Sequence, residues 1–164
     1  MKRLLGHSGY INDVKFSSNG QQLVSSSNDK TIGIWDVRSG KRTHKLELHF
    51  GSAIKAQFSP DGSFIVSGST GRAIHIRDVA TGTEIQMLGG YSSLLMDVKY
   101  FLNGQAIVSC SKDKTLRLWD VQLGVEIQRL EGHSDAVTRV DISVDNSIIA
   151  SSSYDNTIRL WTHL

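Results

Sequence analysis

The sequence predicts an all-β protein made of four copies of one sheet module, and three observations point to this fold class. Residue types recur at a step of 42 positions, β-branched residues crowd short segments between turn signals, and no segment shows the periodicity of an amphipathic helix. The chain has 164 residues, of which 39% are apolar and 21% are charged, which suits one domain with a core. We therefore interpret residues 1–164 as a single domain built by repetition.

The 42-residue step is carried by residues of several chemical types. The positions in step are Trp35, Trp119 and Trp161; His7, His49 and His133; Ser25, Ser67, Ser109 and Ser151; and Asp29, Asp113 and Asp155. The spacing between these positions stays a multiple of 42, with no insertion between the repeats. The predicted repeats are therefore 4–45, 46–87, 88–129 and 130–164.

Each repeat has the pattern of four short strands. In the first repeat these are predicted at 10–17, 21–26, 31–37 and 41–47, and the last is the weakest in apolar residues. Asn19-Gly20, Asp61-Gly62 and Asn103-Gly104 are dipeptides that tolerate the positive φ angles of tight hairpins. Radial repetition of four-stranded sheets is the architecture of a β-propeller.

Composition excludes several classes of protein. A net charge of +2 is too balanced for a chain whose main ligand is a phosphate backbone, and the single cysteine, Cys110, rules out an intrachain disulfide. The segment Met1 to Leu5 is too short for the apolar core of a signal peptide, and no apolar run approaches a membrane span. These features predict a protein of the cytoplasm or nucleus with no membrane partner.

Two repeats carry the combination that identifies a known family. Gly6-His7, Ser25, Asp29 and Trp35-Asp36, and again Gly132-His133, Ser151, Asp155 and Trp161, resemble the WD40 repeat. The resemblance extends over essentially the whole chain. It implies a WD40 β-propeller or partial propeller with four four-stranded antiparallel blades.

The resemblance also implies a structural role for the recurring polar residues, which in this family form a hydrogen-bonded tetrad inside each blade. The implied tetrad residues are His7, Ser25, Asp29 and Trp35; Ser109, Asp113 and Trp119; and His133, Ser151, Asp155 and Trp161. The second repeat departs most, with Gly71 and Arg77 in place of aspartate and tryptophan, and the third has Tyr91 in place of histidine. An arginine cannot be buried without a partner, so Arg77 is expected to reach solvent or a carboxylate such as Asp78.

Three arrangements of the four repeats are open at this point. Residues 2–5 could pair with 157–161 and close a four-bladed ring. Two copies could form a homodimer that completes an eight-bladed ring, or the chain could be a fragment of a longer propeller.

The resemblance implies that other proteins or peptides bind the top face of the propeller, so the chain is predicted to be a non-catalytic scaffold or adaptor. The implied contact residues are Tyr10, Asn12, Asn28, Ile54, Leu94, Met96, Lys112, Thr138 and Tyr154. Leu94 and Met96 are the strongest candidates, because apolar side chains exposed at a channel mouth indicate a binding surface. Packing against the next blade is the alternative for both.

Other functions have less support in the sequence. Arg38 follows Trp35-Asp36-Val37 and makes this segment resemble the box through which some WD40 proteins dock on a cullin-RING ubiquitin ligase adaptor, which would make the chain a substrate receptor. RNA binding would depend on basic residues such as Lys41. Their position on an outer strand that faces water explains these charges better than RNA binding does. Catalytic motifs are missing and the recurring histidines belong to different blades, so no enzyme activity, cofactor or metal is predicted.

Overall fold

The computed structural model describes residues 1–47 and 51–162, and antiparallel strands make up its regular structure. The strands are β1 Ile11–Phe16, β2 Gln22–Ser27, β3 Thr31–Asp36, β4 Arg42–Glu47, β5 Ala53–Phe58, β6 Phe64–Ser69, β7 Ile74–Asp78, β8 Glu84–Leu88, β9 Leu95–Tyr100, β10 Ala106–Ser111, β11 Leu116–Asp120, β12 Glu126–Leu130, β13 Val137–Ile142, β14 Ile149–Ser153 and β15 Ile158–Trp161. His49, the predicted histidine of the second repeat, lies outside the described residues. Nowhere in the two described ranges does a helix have the length and apolar character needed to cross a membrane.

Consecutive strands are neighbours in every sheet, in the orders β1-β2-β3-β4, β5-β6-β7-β8, β9-β10-β11-β12 and β13-β14-β15. This confirms the all-β fold class and the partial-propeller architecture. The fourth sheet differs from the four-stranded expectation. In the other sheets the outer strand comes from residues that follow the tryptophan position, whereas the described residues after Trp161 add no strand.

Turns recur at the same place in each repeat, as the sequence predicts. Gly20, Gly62 and Gly104 have φ angles of 69°, 77° and 71° in the hairpin between the first two strands of their sheets. Asn146 takes the same left-handed conformation in the fourth sheet, with φ 60°. Glycine adopts this conformation without steric cost and asparagine tolerates it, so the hairpins share one geometry.

The core lies between the sheets and consists of three clusters, one at each junction. The clusters are Val24, Ile32, Ile34 and Leu46 with Ala53, Ala56, Phe58, Ile65 and Val79; Val66, Ile74, Ile76 and Leu88 with Tyr91, Leu95, Val98, Tyr100, Ile107 and Trp119; and Phe101, Val108, Cys110, Leu116, Leu118 and Leu130 with Val137, Val140 and Ile149. Each junction therefore joins the later strands of one sheet to the first two strands of the next. The middle strands β2, β6 and β10 are almost continuously buried, which is what packing on both faces requires.

The first and fourth sheets do not close on each other, so the four sheets form an open arc. Phe16 on β1 is 63% exposed and Ile158 on β15 is 76% exposed. Residues 1–7 form no strand, and the Lys2 ammonium instead donates to the carbonyl of Val37 at 3.3 Å. The structure thus departs from a four-bladed ring closed through residues 2–5, because that segment lies against its own sheet.

Candidate functional site

The first repeat brings its four recurring polar residues into one hydrogen-bonded chain. The Nδ1 atom of His7 lies 2.8 Å from an Asp29 carboxylate oxygen, and its Nε2 atom lies 2.7 Å from the Ser25 hydroxyl. The Trp35 indole N–H donates to the same hydroxyl at 2.8 Å. Ser25 lies on β2, Trp35 faces it from β3, and Asp29 stands in the turn between them, so the hairpin itself gathers three of the four groups.

The Asp29 carboxylate is held in its ionised form. Burial opposes ionisation, but hydrogen bonds from the Thr31 hydroxyl, the Ser8 backbone N–H and His7 together keep the pKa of Asp29 well below its usual range. The carboxylate therefore accepts several donors at once and orients the imidazole ring of His7.

The fourth repeat repeats this geometry. His133 lies 2.7 Å from the Asp155 carboxylate and 2.8 Å from the Ser151 hydroxyl, which also accepts the Trp161 indole N–H at 2.8 Å. A hydrogen bond from the Thr157 hydroxyl is the main cause that lowers the pKa of Asp155.

In the third repeat a tyrosine replaces the histidine and changes the network. The Tyr91 and Ser109 hydroxyls are hydrogen-bonded, and the Trp119 indole N–H lies 2.9 Å from each of them. Asp113 turns to the guanidinium of Arg117 at 3.1 Å, and that guanidinium also lies 4.4 Å from the centre of the Tyr91 ring. Burial raises the pKa of Tyr91, so its hydroxyl stays protonated.

The second repeat has no such network among its described residues and uses a different carboxylate. Arg77 is only 6% exposed and donates to Glu84 at 3.0 Å, and the Nδ1 atom of His75 lies 2.8 Å from the same oxygen. Arg77 therefore pairs with a carboxylate, which was one of its two predicted environments. The carboxylate is Glu84 on the neighbouring strand β8 and not Asp78. Asp78 accepts hydrogen bonds from Thr81 in the turn instead.

An aspartate, a histidine and a serine at these distances have the order of a hydrolytic triad, but the surroundings do not suit that chemistry. Ser25 is 2% exposed, and its hydroxyl already accepts the Trp35 indole N–H. A nucleophile needs space for a substrate carbonyl and nearby donors for the developing oxyanion. The geometry fits a buried hydrogen-bonded network that links neighbouring strands.

One residue pair recurs in all four repeats at one end of each sheet, which we call the rim, and these pairs include five of the predicted contact residues. The rim pairs are Tyr10 with Asn28, Ser52 with Thr70, Leu94 with Lys112, and Ala136 with Tyr154. In every pair the backbone N–H of the second residue donates to the carbonyl of the first, at 2.9 to 3.0 Å. The four sheets thus present equivalent, rigidly held positions.

Rim side chains differ in their exposure to solvent. Tyr10 and Tyr154 are 84% and 62% exposed, and Asn28 and Lys112 are exposed as well. Asn12 lies just inside the rim, and its amide donates to the Asn28 side chain at 2.8 Å and to the Ala53 carbonyl of the next sheet at 2.7 Å. The rim is therefore aromatic at its two ends and polar between them.

The remaining predicted contacts are only partly accessible. Ile54, Leu94 and Met96 are half-buried, and Met96 packs against the third core cluster. The Thr138 hydroxyl donates to the Ser152 carbonyl at 3.1 Å. For Met96 the structure favours the alternative stated from sequence, which is packing against the next sheet.

A central cleft of about 400 Å³ is a feature that the sequence analysis missed. Its lining includes charged residues from the first strand of each sheet, namely Asp13, Lys15, Lys55, Asp97, Lys99, Arg139 and Asp141. Lys55 pairs with Asp13 at 3.1 Å, and Lys99 pairs with Asp141 at 2.5 Å. Positions 13, 55, 97 and 139 are one repeat position whose charge alternates in sign, which is the signal that could have predicted this lining.

Arg38 lies in the turn after β3, and its side chain is exposed. Within residues 1–47 and 51–162, no cluster of three or more His, Cys, Asp or Glu side chains could hold a metal ion. Cys110 is a buried thiol whose pKa is raised by burial, so it behaves as a core residue.

Comparisons with known proteins agree with this geometry. The chain matches the family model for the WD domain, G-beta repeat, at residues 1–36, 40–78, 82–120 and 124–162. It is similar to the small ribosomal subunit protein RACK1 of Drosophila melanogaster, with 50% identity over 42 residues, or 26% of this chain and 13% of that protein. A retinoblastoma-binding-like protein E of Dictyostelium discoideum is 35% identical over 48 residues, or 29% of this chain and 9% of that protein.

A Topless-related protein 4 of Arabidopsis thaliana is 44% identical over 45 residues, or 26% of this chain and 4% of that protein. Each match is about one repeat long, and it spans a small part of the length of the relative. The family model, by contrast, matches all four repeats, which also carry the hairpins and junctions described above. The chain belongs to the WD40 family.

Proposed function

We propose that this WD40 chain is a non-catalytic platform that binds segments of other proteins along its rim. The observation that carries the proposal is the equivalent pairing of rim residues in all four sheets, each held by a backbone hydrogen bond. A surface that is ordered before binding loses little conformational freedom when a partner docks, so weak contacts suffice. Solvent access to the polar tetrads is low, whereas the rim and the charged cleft are open to a partner.

The chemistry of the rim suits a peptide or a protein loop. Tyr10 and Tyr154 offer large amphipathic side chains, which are common anchors in protein interfaces. Lys112 and Asn28 offer a charge and an amide beside them. A reducing compartment, the cytoplasm or the nucleus, is the proposed location, where the buried Cys110 thiol would remain unoxidised.

Affinity capture with quantitative mass spectrometry tests this proposal. The Tyr10→Ala, Tyr154→Ala double variant should recover rim partners at least about tenfold less well, as expected when aromatic anchors are truncated. A matched control is the Leu102→Ala, Val144→Ala double variant, which truncates exposed apolar residues in the turns at the other end of two sheets. Equal partner recovery from the rim variant and the control would refute binding at the rim.

A second candidate role is that of a substrate receptor of a cullin-RING ubiquitin ligase. The exposed Arg38 side chain after β3 favours it, because a docking residue must be accessible. Purified ligase adaptor should then bind the native chain and lose affinity for the Arg38→Ala variant. Indistinguishable binding of the two chains would exclude this role for Arg38.

A further inference from the structure

The exposed charges along the rim are distributed unevenly among the four sheets. Arg72, Lys112 and Lys114, which we call the basic patch, lie at the rim end of the second and third sheets, and all three are exposed. No carboxylate within residues 1–47 and 51–162 forms an ion pair with any of them. Both of these sheets have a neighbouring sheet on each side, so the basic patch lies in the interior of the arc.

The backbone holds the three residues of the basic patch in ordered turns. Arg72 and Lys114 occupy the same turn position, with φ angles of 65° and 75°. Their backbone N–H groups donate to the carbonyls of Ser69 and Ser111 at 3.3 Å and 3.2 Å. Lys112 is the rim residue of the third sheet and is held by its own backbone hydrogen bond. The three positive charges are therefore carried by fixed backbone at one end of two adjacent sheets.

Departures of the second and third repeats from the tetrad pattern explain why the basic patch keeps its charge. Gly71 stands where the first and fourth repeats have their tetrad aspartate, so this turn of the second sheet has no carboxylate. In the third sheet the Asp113 carboxylate lies 3.1 Å from the guanidinium of the buried Arg117 and balances that charge. Glu131, the exposed carboxylate that follows β12, acts on Arg129.

The rim ends of the first and fourth sheets are richer in acidic groups. Asp29 and Asp155 keep ionised carboxylates there, in the tetrads described above. Asp135 adds an exposed carboxylate to the fourth sheet, and Glu47 adds one to the first sheet, where Lys30 occupies the corresponding turn. An anionic ligand is therefore attracted over the second and third sheets and repelled by the carboxylates on either side.

This distribution of charge favours a short acidic segment of a protein over a nucleic acid. A nucleic acid carries phosphates along its whole length, so it would also lie over the carboxylates of the first and fourth sheets. A protein segment can place its acidic side chains over the basic patch alone. Carboxylates accept charge-assisted hydrogen bonds from arginine and lysine, and arginine can donate two of them to one carboxylate.

We propose that the segment bound at the rim is acidic, and that its glutamate or aspartate side chains pair with Arg72, Lys112 and Lys114. This inference rests on the rim binding proposed above and extends it by assigning the chemical class of the partner. Leu94 is half-buried, and its carbonyl accepts the Lys112 N–H at 2.9 Å, so it offers an apolar contact beside the basic patch.

Fluorescence anisotropy with labelled peptides gives the first test. The acidic probe alternates glutamate with serine over about ten residues, which is long enough when extended to cross two neighbouring sheets. Its reference peptide has glutamine in place of each glutamate. The native chain should bind the acidic probe at least about fivefold more tightly than the reference at low ionic strength, and added salt should remove this preference. Equal affinity for the two peptides would overturn the proposal.

Three asparagine substitutions test the basic patch directly. The variant Arg72→Asn, Lys112→Asn, Lys114→Asn should bind the acidic probe at least about fivefold more weakly than the native chain. Asn28 and Asn156 already occupy the corresponding positions of other repeats, so we expect the variant to fold, which circular dichroism checks.

The matched control removes the same number of exposed cations from the opposite end of the first sheet. It is the variant Arg3→Asn, Arg38→Asn, Lys41→Asn, and it should bind the acidic probe within about twofold of the native chain. Equal losses of affinity in the two triple variants would overturn the assignment, because binding would then depend on net charge and not on the basic patch.

A nucleic-acid probe tests the other class of anionic ligand. An oligouridylate with as many charges as the acidic probe should bind the native chain no more tightly than the peptide does. Tighter binding of the oligouridylate would overturn the acidic protein segment in favour of a nucleic acid.

Affinity capture separates this inference from rim binding itself. Partners that are lost from both the basic-patch variant and the Tyr10→Ala, Tyr154→Ala variant would support an acidic segment at the rim. Partners that are lost from the tyrosine variant but retained by the basic-patch variant would overturn the acidic partner and leave rim binding in place.

Discussion

The first and second sheets share their strand order and register, but they are fastened by different polar groups. Leu23 pairs with Trp35 in the first sheet, and Ile65 pairs with Arg77 at the same place in the second. In the first sheet, His7 links the Asp29 carboxylate in the β2–β3 turn to the Ser25 hydroxyl on β2. Glu84 on the outer strand takes this role in the second sheet, where it accepts from His75 and Arg77.

This comparison shows that the same backbone pairing and the same kind of buried apolar faces occur with different polar networks. The polar network adds stability, and its chemistry can change from repeat to repeat. The third sheet is intermediate, because it keeps the serine and tryptophan contact but directs Asp113 to Arg117. Substitutions in the networks should therefore affect the sheets unequally.

The largest effect is expected from Asp29→Ala in the first sheet. The substitution removes the acceptor of His7 and Thr31, which are partly and fully buried, and of the exposed Ser8 N–H, and should lower the free energy of unfolding by about 2–4 kcal/mol. Urea denaturation measures it. Asp78→Ala is the control, since Asp78 is half-buried and accepts hydrogen bonds from Thr81 within its own turn. A loss as large as that of Asp29→Ala would contradict the argument.

A smaller loss is expected from Glu84→Gln in the second sheet. The amide cannot neutralise the buried guanidinium of Arg77, but the Glu84 side chain is 37% exposed, so water weakens the ion pair that is lost. We expect about 1–2 kcal/mol, measured in the same way. Glu131→Gln, at an exposed position, should stay within about 0.5 kcal/mol of the native chain. A loss exceeding that of Asp29→Ala would reverse the ranking of the two sheets.

A further prediction concerns the pH dependence of stability. The pKa values of Asp29 and Asp155 are lowered in the folded chain, so their contribution is present above the pKa of an unfolded aspartate, about 4, and is lost as the pH falls further. The free energy of unfolding should therefore decrease from about pH 5 towards about pH 2. Asp29→Asn should make this decrease shallower.

Asp97 should affect the pH dependence of stability in the opposite direction to Asp29 and Asp155. Burial raises its pKa, so its protonation at low pH favours the folded state, and Asp97→Asn should make the acid loss steeper. Thermal or urea unfolding at several pH values would measure both slopes. Equal slopes for the two variants would show that neither carboxylate is linked to folding in the manner described.

Particular residues show how far the sequence could predict the site. The recurrence of His7, Ser25, Asp29 and Trp35 was enough to name four groups that lie within hydrogen-bonding distance, three of them on one hairpin. Arg77 was predicted to reach solvent or to pair with a carboxylate such as Asp78. Glu84 was missed, because the choice depends on the position of β8 beside β7 and not on separation along the chain. Met96 was a binding candidate by its repeat position, but packing between sheets placed it against the core.

By itself, the sequence determined the repeat, the strands, the hairpins and the residues of the first and fourth tetrads. These features depend on short-range periodicity and turn chemistry, which the order of residues contains directly. The tertiary structure decided which networks replaced the missing tetrads, which charged residues line the cleft, and which apolar faces remain exposed. Those outcomes depend on how neighbouring sheets pack and on whether the first and last sheets meet, and no local pattern in the chain specifies that distance.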